Sequence, residues 1–261
     1  MPDYIPVSPQ DHAEEAWQAV RGYAFAAGQT LVPLAFDELT RASGHLVLGF
    51  TKPADHYQLV ALLGPGFNAY VHPADGRWLG SYVPSKLRGA PFELGFAPDN
   101  PEQPLLCIDP AALVAVNTPG AYRLFEADGQ LSAKSAEVLD FLHQRLKGGL
   151  AVERVMAELT AIPDLIEPWP LRLPGSQGVQ DLTGFYRINE AALKALSPEQ
   201  LHQLNRHQAL GLAYAQLIAT THLHELAQRC AALGRLKQQQ AAAEPSLDQL
   251  FFEQEEDLFK F

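Results

Sequence analysis

The sequence predicts an α+β protein, with a mainly antiparallel sheet in its first half, helices in its second half, and a mobile acidic and aromatic C-terminal tail. Three observations carry that expectation. Between residues 45 and 125, short apolar runs alternate with turn signals and leave little room for helix, as strands joined by hairpins and short loops do. Beyond Asp128-Gly129 the apolar residues change to helical spacing. Finally, residues 244–261 hold six acids against one lysine, a formal −5, with four phenylalanines and three leucines among them.

The elements follow in order. Residues 11–28 open as an amphipathic helix capped by Asp11 and carrying Ala13, Ala16 and Val20. It leads into the extended run 31–34. Strand signals cover 46–50, 57–63, 67–71, 78–83, 92–96, 105–108 and 122–125, with Gly64-Pro65-Gly66, Asp75-Gly76 and Asp128-Gly129 as turns. Val138, Leu139 and Leu142 predict a helix over 132–146, with Arg145 near its end and Gly148-Gly149 stopping it. A second helix spans 150–162 and ends at Pro163. Extended structure returns at 168–173 and 182–188. Ser197, Pro198, Glu199 and Gln200 form a capping box with proline in the first turn. They start a helix that runs to about Leu233 with a break near Gly211. The organisation is therefore one unit over 1–235, sheet-rich at 30–128 and helix-rich at 129–235. A linker and tail follow over 236–261, beginning with a glutamine- and alanine-rich stretch.

Composition excludes several classes of function. A chain of 261 residues that is 47% hydrophobic can bury a substantial core. Its 19 Lys+Arg against 30 Asp+Glu leave a formal −11, which argues against a nucleic-acid or anionic-membrane partner. No apolar run is long enough to span a bilayer, and the opening residues lack a secretory pattern. The expected setting is soluble and cytoplasmic, with Cys107 and Cys230 as reduced, buried thiols. Neither a G-x-S-x-G elbow, a dinucleotide fingerprint, a P-loop nor an HExxH pair is present. His202, His207, His222 and His224 crowd the last helical region, but their spacing does not give a metal triad. No metal or cofactor is therefore assigned.

The most informative stretch runs from Trp78 through Tyr82, Pro84, Arg88 and Pro91 to Phe92. With Leu105-Leu106-Cys107-Ile108-Asp109 and Gly184-Phe185-Tyr186-Arg187-Ile188-Asn189-Glu190, it resembles the SapC family of bacterial proteins from about residue 10 to about 230. That resemblance implies a gene near those for TonB-dependent receptors and for flavin-dependent halogenase-like and cupin-like proteins, the last two being its expected partners. It implies no settled chemistry.

From the residues themselves, Trp78, Tyr82, Arg88 and Phe92 combine aromatic faces with one guanidinium, a set suited to a carboxylate or planar ligand. Tyr186 and Arg187 offer a second such pair. The alternative is that the three rings are core and Arg88 is paired to an acid such as Asp109. In the tail, Leu250, Phe251, Phe252, Leu258, Phe259 and Phe261 are anchors for a partner or for the protein's own body. The leading expectation is a non-catalytic binding or adaptor protein, accessory to sugar or peptide uptake or modification and engaging a partner through this tail. An enzyme acting on a peptide or small molecule at a Tyr/Arg/aromatic pocket is the alternative.

Overall fold

The two most apolar runs of the first half, Val47–Thr51 and Gln58–Leu62, pair antiparallel in the middle of a five-stranded sheet. The structure, a computed structural model, describes residues 3–97, 100–175 and 178–243. In chain order its strands are β1 (Ile5–Pro6), β2 (Glu15–Trp17), β3 (Leu31–Pro33), β4 (Val47–Thr51), β5 (Gln58–Leu62), β6 (Phe92–Ala97) and β7 (Asn100–Ile108). Then come β8 (Leu113–Ala115), β9 (Tyr122–Arg123), β10 (Ile166–Pro168), β11 (Leu171–Gly175), β12 (Gly178–Leu182) and β13 (Phe185–Ile188). The helices are α1 (Pro9–His12), α2 (Leu39–Ser43), α3 (Ser85–Arg88), α4 (Ala133–Thr160), α5 (Glu190–Lys194), α6 (Pro198–Arg206), α7 (Ala209–Ala219) and α8 (Leu223–Ala243).

Four sheets result, all antiparallel: β10-β13-β4-β5-β3, β1-β7-β6, β8-β2-β9 and the hairpin β11-β12. In β4 and β5 nearly every residue is buried rather than every second one, because α4 packs on β5, and α7 on β4 and β13. Gln216 of α7 lies fully buried between those strands. Its Nε2 donates to the Leu48 carbonyl (3.1 Å) and its Oε1 accepts from the Ile188 N–H (2.9 Å). The side chain thus satisfies backbone groups just beyond the two-residue register that joins β13 to β4.

The 28-residue α4 serves two cores. Leu142, with Val138, Leu139 and Phe141 beside it, closes a smaller cluster with Trp17, Phe92, Leu106, Ile108, Leu124 and Phe125. Val152, Val155, Met156 and Leu159, about three to five turns later, belong to the main core over the five-stranded sheet. The sheet-rich first half and helical second half are therefore interlocked through this helix. Among the described residues no helix is long and apolar enough to cross a membrane.

Several expected elements are corrected. Residues 11–28 do not form one helix. Ser8 caps the short α1, its Oγ accepting from the Asp11 N–H at 3.3 Å, and Ala16 and Trp17 are buried in β2. The start signal was Ser8-Pro9, with proline in the first turn. The helices expected at 132–146 and 150–162 are one continuous α4. Gly148 does not stop it but lets it pack: a Cβ there would lie 2.7 Å from Ala35 Cβ and from Asp37 Oδ1. The long last helix breaks at Gln208, whose φ is 64°, rather than at Gly211, and again in a 3-10 turn at Thr220–His222. It resumes as α8, which continues to Ala243 through the stretch expected as linker. The runs 67–71 and 78–83 join through a single bridge, Val71 to Trp78, instead of forming strands. There Asn68 takes over the backbone, donating to the Ala26 carbonyl and accepting from the Tyr70 N–H. The strand expected over 182–188 is cut at Gly184, whose φ is 74°, with β13 starting at Phe185.

Candidate functional site

The one-turn helix α3 is where the informative stretch becomes three-dimensional. Successive residues of a helical turn point about 100° apart, so its side chains reach separate environments. Ser85 turns inward, Leu87 enters the main core, and Arg88 is exposed.

The inward side is organised by Glu38, a carboxylate only 4% exposed. Its Oε1 accepts the Tyr82 hydroxyl at 2.6 Å and the Ser85 N–H at 2.6 Å. Its Oε2 accepts the Ala35 N–H at 3.0 Å and the Ser85 hydroxyl. Four donors and the nearby Arg145 charge offset the desolvation that an unpaired buried carboxylate would suffer. Burial, and then the bond to Glu38, push the Tyr82 phenol well above its ordinary range, so it stays a donor. Trp78 braces the same loop: its Nε1 donates to the Tyr82 carbonyl at 2.9 Å, and its ring stacks on Tyr70 at 5.3 Å.

On a second side Lys86 and Arg145 converge on one carboxylate. Glu93 of β6 accepts from Lys86 Nζ on one oxygen and from Arg145 Nη2 on the other. Burial, then the adjacent Arg145 charge, lower the Lys86 pKa to about 8, while the contact with Glu93 works the other way. Burial likewise lowers Arg145, against the raising influence of Glu38 and Tyr4.

The third, outward side carries Arg88. Its Nε donates to the Val83 carbonyl at 3.1 Å, and its guanidinium lies over the rings of Phe141 (5.3 Å) and Tyr82 (6.0 Å). Among the described residues no carboxylate forms an ion pair with it. Asp109 instead caps its own turn by accepting from the Ala111 N–H at 3.0 Å. Arg88 faces a cavity of about 360 Å³ whose walls include Trp17, Phe92, Phe141 and the ion pair Lys134–Glu137. Phe92 is itself 1% exposed and meets Trp17 edge-to-face at 4.8 Å.

The structure thus gathers Trp78, Tyr82, Arg88 and Phe92 around one turn, with Arg88 and Phe92 on a common cavity. Tyr186 and Arg187 lie elsewhere, on β13. Tyr186 meets Tyr57 edge-on at 5.2 Å, and Arg187 pairs with Glu167 at 2.8 Å and covers Trp169 at 5.8 Å. Arg187 lines a different cavity, with Glu190, Tyr214 and Thr220. Leu250, Phe251, Phe252, Leu258, Phe259 and Phe261 lie outside the described residues. Both cysteines are free and buried. Among the described residues no group of three His, Cys, Asp or Glu side chains is placed to hold a metal.

Sequence reasoning missed Glu38, Lys86, Glu93 and Arg145. Arg145 read as a charge near a helix end, and only the continuity of α4 through Gly148 makes it an interior residue. Apart from the local Ala35 N–H, the partners of Glu38 lie more than forty positions away, so its role is not visible locally.

Fold and site together define an α+β protein built around an arginine-bearing turn. The chain belongs to the SapC family, whose family model, described as SapC, matches residues 7–226. No curated protein and no solved structure matches the chain.

Proposed function

We propose that this protein is a non-catalytic binding protein that holds a planar, carboxylate-bearing ligand at Arg88. The observation that carries this reading is a guanidinium fixed by a backbone carbonyl and two aromatic rings, at a cavity, without an acid partner among the described residues. An arginine held in this way, its guanidinium next to the Tyr82 hydroxyl, can turn its outer N–H donors to a carboxylate, and Trp17, Phe92 and Phe141 supply apolar walls. Burial of Tyr82 and Ser85 on Glu38 fixes the turn from behind, which lowers the ordering cost of binding.

In the wider reading the protein is an adaptor accessory to sugar or peptide uptake or modification, with halogenase-like or cupin-like proteins as partners. Residues 250–261 would supply the partner contact. The formal charge of −11 supports partners other than nucleic acid, and two buried free thiols fit a reducing, cytoplasmic setting.

Native mass spectrometry of the purified protein, repeated after denaturation to identify anything released, tests the ligand reading. A released aromatic or short-chain carboxylate, absent from an Arg88→Gln preparation, would support it. A released molecule without an acidic group, or one retained equally by Arg88→Gln, would overturn it.

A further inference from the structure

The Lys86–Glu93–Arg145 cluster closes one end of a groove that the Arg88 reading does not use. Its floor is a stripe of α4: Arg145, Leu146, Gly149, Leu150 and Glu153. At 1.5 Å per residue the two charged ends of that stripe stand about 12 Å apart. Its walls are Pro33 and Leu34 on one side and Leu94 and Phe96 on the other, and it encloses about 250 Å³. Phe96 and Leu150 are each 50% exposed there.

Three features say what fits. First, both walls come from sheet edges: β3 is the last strand of the five-stranded sheet, and β6 is the last of the β1-β7-β6 sheet. Of the two, the β6 edge is the one suited to pair with an added extended chain, since Pro33 has no N–H and Leu34 already donates to the Leu59 carbonyl; 12 Å is the span of about four to five extended residues. Second, at one end of the groove Lys86 and Arg145, two side chains with several N–H donors, share the single carboxylate of Glu93 and are partly buried, with Arg145 14% and Glu93 20% exposed at the side chain. The other end has the exposed carboxylate of Glu153. Third, the floor is open at its centre, since a Cβ on Gly149 would meet nothing within 4 Å. An extended segment with an acid and then apolar residues at every second position matches all three.

The chain contains such a segment. Residues 257–261 read Asp257-Leu258-Phe259-Lys260-Phe261. In extended form Asp257, Phe259 and Phe261 share one face. Residues 248–252 carry the related Asp248, Leu250 and Phe252 pattern without a base. We propose that residues 257–261 dock in this groove of their own chain as an added strand, with Asp257 at Lys86 and Arg145, and Phe259 and Phe261 over Leu146, Gly149 and Leu150. Lys260 then points away from the α4 floor, to solvent. Reach permits docking within one chain: the fourteen residues from Ala243 to Asp257 span up to about 50 Å when extended. That length far exceeds the radius of gyration of about 18 Å expected for a domain of this size. The end of α8 also lies on the β3 side, since Lys237 covers Phe67 at 4.5 Å, and Asn68 next to it bonds the carbonyls of Ala26 and Ala27 just before β3. A partner that takes this segment has to displace it from the groove.

The test uses the full-length protein without any partner, so its failure leaves the Arg88 reading untouched. Benzoylphenylalanine replaces Phe259, unlabelled and 15N-labelled chains are mixed in equal amounts, and photo-crosslinks are mapped by mass spectrometry. The expected crosslinks join position 259 to residues 94–96 or 146–150 within one chain. They fall at least tenfold in Gly149→Leu, which fills the groove with a side chain that meets no clash at its Cβ, and in Asp257→Lys. Crosslinks of mixed isotope content would assign the groove to a second copy and overturn docking within one chain. Crosslinks elsewhere, none at all, or crosslinks unchanged in Gly149→Leu would overturn the groove as the site.

Discussion

The Tyr82 hydroxyl donates to the buried carboxylate of Glu38 at 2.6 Å, joining two residues forty-four positions apart. This bond fastens the signature turn to the segment that leads into α2. Removing it leaves Glu38 one donor short in a site closed to water. Tyr82→Phe is therefore expected to lower unfolding free energy by about 1–2 kcal/mol, read from the urea midpoint at constant slope. The pH dependence has a defined sign. Tyr82 is harder to ionise in the fold than in the unfolded chain, so its contribution is complete below the unfolded-state value near 10 and declines as pH rises beyond it. Tyr82→Phe should lose stability less steeply above pH 10 than the parent; equal slopes would count against a protonated Tyr82 on Glu38.

Adjacent glycines in α4 should respond in opposite directions. Gly148→Ala drives a methyl to 2.7 Å from Ala35 and Asp37, and overpacking of that kind costs about 1–3 kcal/mol. Gly149→Ala meets nothing within 4 Å and should gain roughly 0.5–1 kcal/mol from helix propensity. Thermal melts of the two single variants check the pair, and equal shifts would contradict the close approach at Gly148.

Gln216 is the one side chain of α7 that bridges β4 and β13 through hydrogen bonds to both Leu48 and Ile188. Gln216→Leu strands a buried carbonyl and a buried N–H, at about 1–3 kcal/mol each. A loss of about 2–6 kcal/mol in chemical denaturation is expected, with exchange protection falling first at the Ile188 amide. A variant as stable as the parent would show that these groups find other partners.

Lys86 should be the first lysine to become nucleophilic as pH rises. Its pKa is lowered to about 8, whereas Lys134 and Lys194 are raised by their pairing with Glu137 and Glu190. Pulsed acylation followed by peptide mapping should give a labelling midpoint near pH 8 at Lys86 and later midpoints at the other two. Stability should rise with pH between about 8 and the ordinary lysine value of 10.5, because the unfolded chain holds the extra proton across that window. A Lys86 midpoint with the other lysines would mean that Glu93 outweighs burial and Arg145.

The fold class was legible because short apolar runs between turn signals and a capping box are local signals, and the family was legible because Trp78, Tyr82, Arg88 and Phe92 fall within one short stretch. The turn at α3 brought those four together without long-range information. What sequence could not show depends on contacts between distant segments. Gly148-Gly149 has the composition of a helix stop, and only the approach of Ala35 and Asp37 explains why the helix continues. Glu38 and Arg145 become site residues through partners forty or more positions away. The Gln208 break lacks the glycine that usually marks one, whereas Gly211, which carries that signal, lies inside α7.

The most direct test of the central claim is isothermal titration of the full-length protein and of Arg88→Gln with indole-3-acetate, a planar carboxylate matched to the Arg88 cavity. The account predicts saturable one-to-one binding to the parent, weakened at least tenfold in Arg88→Gln with an unchanged melting temperature. Equal affinity in both proteins, or no binding to a folded parent across a panel of aromatic carboxylates, would contradict it.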